Sequence, residues 1–245
     1  ASLSAQVAGA PGAAYVVGAF AANRCASLKA KGLLSGDTTA AQADEALQKL
    51  RDYGWEPEAA ILHASMAAFE VSPAVTVTFA NSLARAHVKD HLCGFSFAAT
   101  TAQGLPTALA DAAVQPMFAT GNGVPPSGGV QLINNLSLGA PLRDLFSFSP
   151  STAKQDFNLD GALCLRNLLT GSDAKALALQ QGIGQTLRSG NLQRKPAIIV
   201  HGRADALIPV NHSSRPYTAL NKRVEERHSR LSYIEVTNAH HFDTF

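Results

Sequence analysis

At 245 residues the chain is long enough to bury a substantial core as one or two domains, and 46% hydrophobic against 16% charged residues is the balance of a globular protein. A net charge of +2, with no Lys/Arg block and no basic-aromatic interleaving, gives no footing for nucleic-acid binding.

Residues 1–23 read as an apolar lead-in. Val16, Val17 and Phe20 stand among alanines and glycines, Pro11 interrupts the stretch, and there is no basic start. It is too short and broken to cross a bilayer and does not read as a signal peptide, so no membrane partner is expected. Thr39 with Gln42 makes a capping-box pattern for a helix over 40–53, with Ala43, Leu47, Leu50 and Tyr53 at helical spacing and Gly54 to end it. A second helix is expected over about 58–69, placing Ile61, Leu62, Ser65 and Phe69 near one face. A third is expected over 74–88 after Pro73, although its start, Val75 to Phe79, also suits a strand.

His63, His87 and His91 fall in this helical region. On a continuous helix, His87 and His91 would share one face at a zinc-compatible spacing, but no third ligand is evident and solvated helix-end residues are the plainer reading. Gly94-Phe95-Ser96-Phe97-Ala98 imitates a nucleophile elbow with its last glycine replaced. The preceding Lys89 to Cys93 is a poor buried strand and loop chemistry soon follows Ala98, so Ser96 is a fallback nucleophile and a packed segment is expected. Thr120 to Gly129 is a Gly/Pro loop without the spacing of a phosphate cradle, and 130–148 is mixed.

Asp156, Asn158, Asp160 and Gly161 match the first half of a calcium loop, but its twelfth position is Asn167, which cannot bind bidentately. A polar turn leading into a helix over 162–169 is the alternative. Another helix follows over 174–188, interrupted by Gly182 and Gly184. Cys25, Cys93 and Cys164 are widely spaced and odd in number. Free, buried thiols are expected, one disulfide being possible in an oxidising compartment.

The tail carries the chemistry. Ala197 to Val200 is a short β-branched run, and Asp205 follows just past its carboxyl end, where open α/β sheets keep their working residues. A helix is expected from Ser213 to about His228 and a strand over 230–236, after which a polar loop carries His240 and His241. A crossover between adjacent parallel strands brings the Asp and His loops to one sheet edge. A carboxylate beside an imidazole accepts its Nδ1 hydrogen and stabilises the imidazolium, and Asp then His are the last two places of an α/β-hydrolase triad. Asp205 and His241 are the catalytic candidates, with His240 the competitor for the histidine role. His201 and His212 are possible pocket-lining residues. The plain alternative makes Asp205 a turn cap and His241 a half-buried surface residue.

The segment His201 to Tyr217, continuing through Val236 to Asp243, resembles the D-(−)-3-hydroxybutyrate oligomer hydrolases, bacterial esterases that cut short oligomers released from the storage polyester. The likeness extends to Arg24–Leu33, Gly54–Glu58, Leu92–Ala98, Ala119–Pro126 and Gln155–Cys164, and so to roughly residues 20–245. It implies an α/β fold, α/β-hydrolase-like, to which this chain supplies a mostly helical lid or insertion over 24–190 and the last strands, with the acid and His loops, over 191–245. It also implies ester hydrolysis of 3-hydroxybutyrate dimers and trimers, with no cofactor or metal, in a secreted or periplasmic setting.

Members of the family are far longer, and their nucleophile lies in a Ser-Asn-Gly-Gly-type turn that does not occur here. The expectation is therefore a carboxyl-terminal part whose serine comes from the missing N-terminal part of the same enzyme. The rival class is a noncatalytic lid or binding module, calcium-stabilised through Asp156, Asn158 and Asp160. A dehydrogenase has no support, because no G-x-G-x-x-G follows a strand.

Overall fold

The computed structural model describes residues 18–68, 70–108, 130–241 and 243. Most of the lead-in and all of the Thr120–Gly129 loop lie outside the described residues. In chain order the elements are α1 (Gly18–Ala30), α2 (Thr39–Asp52), α3 (His63–Ala68), α4 (Val71–Ala84), β1 (Phe95–Thr100), β2 (Pro106–Thr107), β3 (Gln131–Asn134) and β4 (Leu142–Arg143). They continue with α5 (Leu159–Asn167), α6 (Ala174–Gln185), β5 (Ala197–Gly202), α7 (Ser214–Glu225) and β6 (Leu231–Val236). Two compact units result, one including residues 43–66 and 187 onward, the other including 18–42 and 67–186.

In the first unit β5 and β6 pair in parallel, register Ala197↔Leu231 to Gly202↔Val236, with α7 as the crossover helix. Successive side chains of a strand point to opposite faces. Here Ile199, His201, Tyr233 and Glu235 lie on a half-buried face, while Ile198, Val200, Ile234 and Val236 project from the other at 71%, 63%, 50% and 42% exposure. The buried stripe of α7 is polar: Ser214, Thr218, Asn221 and Glu225, spaced by helical turns. Hydrogen bonds meet most of that cost. Asn221 donates to Gly190 O and Glu225, Ser229 donates to Asn221, and the Arg194 amide donates to Glu225.

The second unit is less purely helical than its sequence suggests, since an antiparallel sheet of order β2-β1-β3-β4 runs through it. β1 pairs with β3 from Phe95↔Asn134 to Ala98↔Gln131, burying Phe95, Leu132 and Ile133. The ambiguous Val75 to Phe79 stretch is helical, in α4, which ends at Ala84 where Arg85 turns left-handed. Leu92, Leu168 and Leu179 close over Ala80, Ala84 and Ala176 between α4 and α6. Gly182 does not interrupt α6. A Cβ there would come within 2.1 Å of Leu83 O, so the glycine sets how closely the two helices approach.

Four further expectations are corrected. Thr38, not Thr39, caps α2 through its hydroxyl, and Gln42 turns to Gly36 O instead of completing a capping box. A 3-10 turn, Pro57–Leu62, precedes α3 where one continuous helix was expected. His87 and His91 follow the end of α4, so they share no helix face; His91 is left-handed and leads a 3-10 turn. Cys93 and Cys164 form a disulfide across a separation of 71 residues, leaving Cys25 as the buried free thiol. Their partnership joins the 3-10 turn before β1 to α5, a proximity that spacing alone does not reveal.

Candidate active site

Asp205 follows β5 in the first unit and is 4% exposed. Its two oxygens do different work. Oδ1 accepts the amides of Leu207 (2.9 Å) and Ile208 (2.8 Å), so the turn-capping reading is realised on this side. Oδ2 faces His241 Nδ1 at 2.9 Å and His201 Nε2 at 3.2 Å. Burial pushes the Asp205 carboxyl up, but the Ile208 amide, the His241 contact and the Leu207 amide outweigh it and hold the group below its ordinary value.

The two loops meet because of local backbone contacts. Arg203 N donates to Val236 O, and Ala204 N donates to Ala239 O. Gly202 makes the second contact feasible, since a Cβ there would stand 2.4 Å from Ala239 O. The adjacent histidines part company at this point. His241 turns to Asp205, whereas His240 Nε2 lies 2.9 Å from Asp243 and its amide donates to the same carboxylate at 2.6 Å. With Nδ1 on Asp205, the His241 nitrogen on the far side of the ring is Nε2, the one that exchanges a proton with a nucleophile in a triad.

Of the two further histidines proposed to line this region, only His201 touches Asp205. His212 stacks on Tyr53 at 5.4 Å. His63 is buried against Trp55, and desolvation lowers its pKa to about 4, so it is neutral near pH 7. Sequence reasoning missed the ionic framework behind the site. Arg215 donates through Nε and Nη2 to Glu235 at 2.5 and 2.7 Å, and through Nη1 to Glu56. Arg203 joins Glu235 and Glu58, each at 3.2 Å. The Arg215 fork, opposing its burial, holds the Glu235 carboxyl at about 2. Glu56 and Glu58 are far off in sequence, and only their acid character hinted at such partners.

The other candidates lie in the second unit. Ser96 is inside β1, opposite Ile133, and its hydroxyl accepts from Asn135 Nδ2 at 2.7 Å. A strand interior is not the strand-to-helix turn that presents a nucleophile. The calcium-like stretch is the polar turn before α5. Asp156 accepts from Ser149, Thr152 and the Leu159 amide, Asp160 from Ser151, and Asn158 caps the helix through Gly161 N while donating to Asp144. Their oxygens are committed to protein donors, and among the described residues no cluster of three His, Cys, Asp or Glu has metal-site geometry.

Over residues 1–245 the chain matches the family described as 3HB-oligomer hydrolase (3HBOH). It belongs to that family. It is 64% identical over 225 residues to the D-(-)-3-hydroxybutyrate oligomer hydrolase of Paracidovorax citrulli, covering 92% of this chain and 32% of the relative. It is 60% identical over 251 residues to one from Ralstonia pickettii, covering 100% of this chain and 34% of the relative. A third relative of the same name, from Cupriavidus necator, is 57% identical over 227 residues, covering 92% and 32%. The chain thus spans about a third of the length of the curated relatives it matches. No solved structure matches it.

Proposed function

We propose that this chain supplies the acid and the base of a serine esterase that hydrolyses short 3-hydroxybutyrate oligomers. The single observation that carries the reading is the His241 Nδ1 to Asp205 Oδ2 contact of 2.9 Å, in a chain belonging to the 3HB-oligomer hydrolase family. A serine attacks the ester carbonyl, and His241 Nε2 takes the hydroxyl proton while Asp205 keeps Nδ1–H in place. The tetrahedral intermediate collapses, and the protonated His241 gives its proton to the departing hydroxybutyrate alkoxide. Water, deprotonated by the same imidazole, then releases the acyl group.

The nucleophile in this reading is a serine outside residues 1–245, in keeping with relatives about three times as long. An α/β-hydrolase fold fits the same observations. Parallel sheets are ordinarily covered on both faces, and the β5–β6 pair with its exposed Ile198, Val200, Ile234 and Val236 has the character of the end of a larger sheet. The Cys93–Cys164 disulfide supports a secreted or periplasmic setting.

The test uses the full-length enzyme and hydroxybutyrate trimer. His241→Gln is expected to lower kcat about 10⁴-fold, and Asp205→Asn comparably by favouring the wrong tautomer. His240→Gln should retain turnover. The opposite pattern for the two histidines would overturn the assignment, as would a fluorophosphonate label mapping to Ser96.

A further inference from the structure

Beyond its contact with Asp205, His201 on β5 begins a hydrogen-bonded chain. Its Nδ1 lies 2.7 Å from Ser214 Oγ on α7, Ser214 Oγ lies 2.9 Å from Tyr233 Oη on β6, and Tyr233 Oη lies 2.7 Å from Glu235 Oε1. Each hydroxyl has one proton to give. Glu235 is ionised beside Arg215 and can only accept, so Tyr233 donates to it. Burial raises the Tyr233 phenol pKa, which keeps that proton in place. Tyr233 then accepts from Ser214, and Ser214 accepts from His201 Nδ1–H. The remaining nitrogen, Nε2, faces the Asp205 carboxylate at 3.2 Å, where a bare lone pair would be repelled.

We propose that His201 is an imidazolium, a positioning residue that fixes the Asp205 carboxylate and moderates the base strength of His241. The second part rests on the reading of Asp205 and His241 as acid and base. All four acceptor positions of Asp205 are then filled, by two amides on Oδ1 and two imidazoles on Oδ2. A cation sharing Oδ2 draws on the electron density that would otherwise stabilise protonated His241, so His241 releases its proton more readily. The groups facing His201 are Asp205 from the loop after β5, Ser214 from α7 and, on β6, its own register partner Glu235. Tyr233 is reached through Ser214, Arg215 opposes Glu235 in charge, and His241 is reached through the shared oxygen.

The experiment takes the full-length enzyme labelled with ¹⁵N-histidine. At pH 7 both ring nitrogens of His201 should resonate as protonated, the signals being assigned by their loss in His201→Gln. One bare nitrogen would overturn the proposal. Tyr233→Phe provides a second arm should His201→Gln fail to fold. Without the phenol oxygen, Ser214 turns its hydroxyl toward His201 Nδ1, and the imidazole becomes neutral while keeping Nε2–H toward Asp205. The acid limb of kcat/KM should then move up by about half a pH unit or more, with plateau kcat held within about threefold. An unmoved limb overturns the moderating role. A charged His201 in an enzyme whose His241→Gln variant still turns over would sink the acid-base assignment and leave the charged state of His201 standing.

Discussion

Two acids, Glu235 in the first unit and Asp144 in the second, are held in opposite ways. In the first, Glu235 receives a two-pronged Arg215 contact, Arg203 and the Tyr233 hydroxyl, and its carboxyl is held at about 2. In the second, Asp144 has a neutral donor, Asn158 Nδ2, on Oδ1 at 2.7 Å. Burial and the neighbouring Glu70 push its carboxyl up to about 7, with Arg24 and Arg143 acting only through space. Glu70 itself bonds Arg143 and the Leu145 amide, yet burial still raises it. Burial pushes all three carboxyls up, and only at Glu235 do the donors aimed at the acid outweigh that push. The first unit spends its donors on keeping carboxylates charged around Asp205; the second does the same for Asp156 yet tolerates in Asp144 a carboxyl that is half neutral near pH 7.

Breaking the second unit alone should give the largest effect. Cys25, Cys93 and Cys164 all belong to it, and the disulfide closes a loop with a separation of 71 residues. Chain-entropy arguments assign such a loop about 4 kcal/mol, so Cys93→Ala with Cys164→Ala should lower its unfolding temperature by roughly 10 °C, read by peptide-resolved hydrogen exchange during heating, with the first unit unmoved. The pH response comes next. Asp144 has a folded pKa above its unfolded one, so its share of stability is full below about 4 and lost as pH rises through about 7. Glu235 has the reverse sign: its share is present above about 4.5 and lost as pH falls toward about 2. Asp144→Asn should flatten the fall in second-unit stability between pH 5 and 8, measured by urea unfolding. A slope left unchanged would show that another group carries it.

Sharpening the comparison needs smaller changes in the first unit. Arg215→Met strips the paired fork from Glu235 and should cost about 2 kcal/mol, less than for a fully buried pair because Arg215 is a third exposed. Glu58→Gln removes one arm from Arg203 at a similarly exposed position, and a loss by urea denaturation well below that of Arg215→Met is expected.

What the sequence disclosed divides along the same line. β5, α7, β6 and the two loops were legible because β-branched runs, helical spacing and turn residues are local signals. Asp205 and His241 could be paired because a crossover between adjacent strands has few geometries. His201 was named only as a lining residue. Its contact with Asp205 depends on side-chain direction, and Ser214, Tyr233 and Glu235 look like ordinary helix and strand residues in the sequence. The buried stripe of α7 was hidden for a related reason, since hydropathy patterns presume an apolar inner face. In the second unit β1 was missed because its partner β3 is remote in sequence, and Cys93 found Cys164 through tertiary approach alone.

The Cys93–Cys164 bridge has one more consequence. Residues 94 to 163 lie inside a covalent ring that includes β1, β3 and the turn before α5. A protease that cuts the backbone once within this ring opens the chain without dividing it. The nicked molecule keeps its intact mass apart from one added water, and runs as two fragments only after a thiol is added.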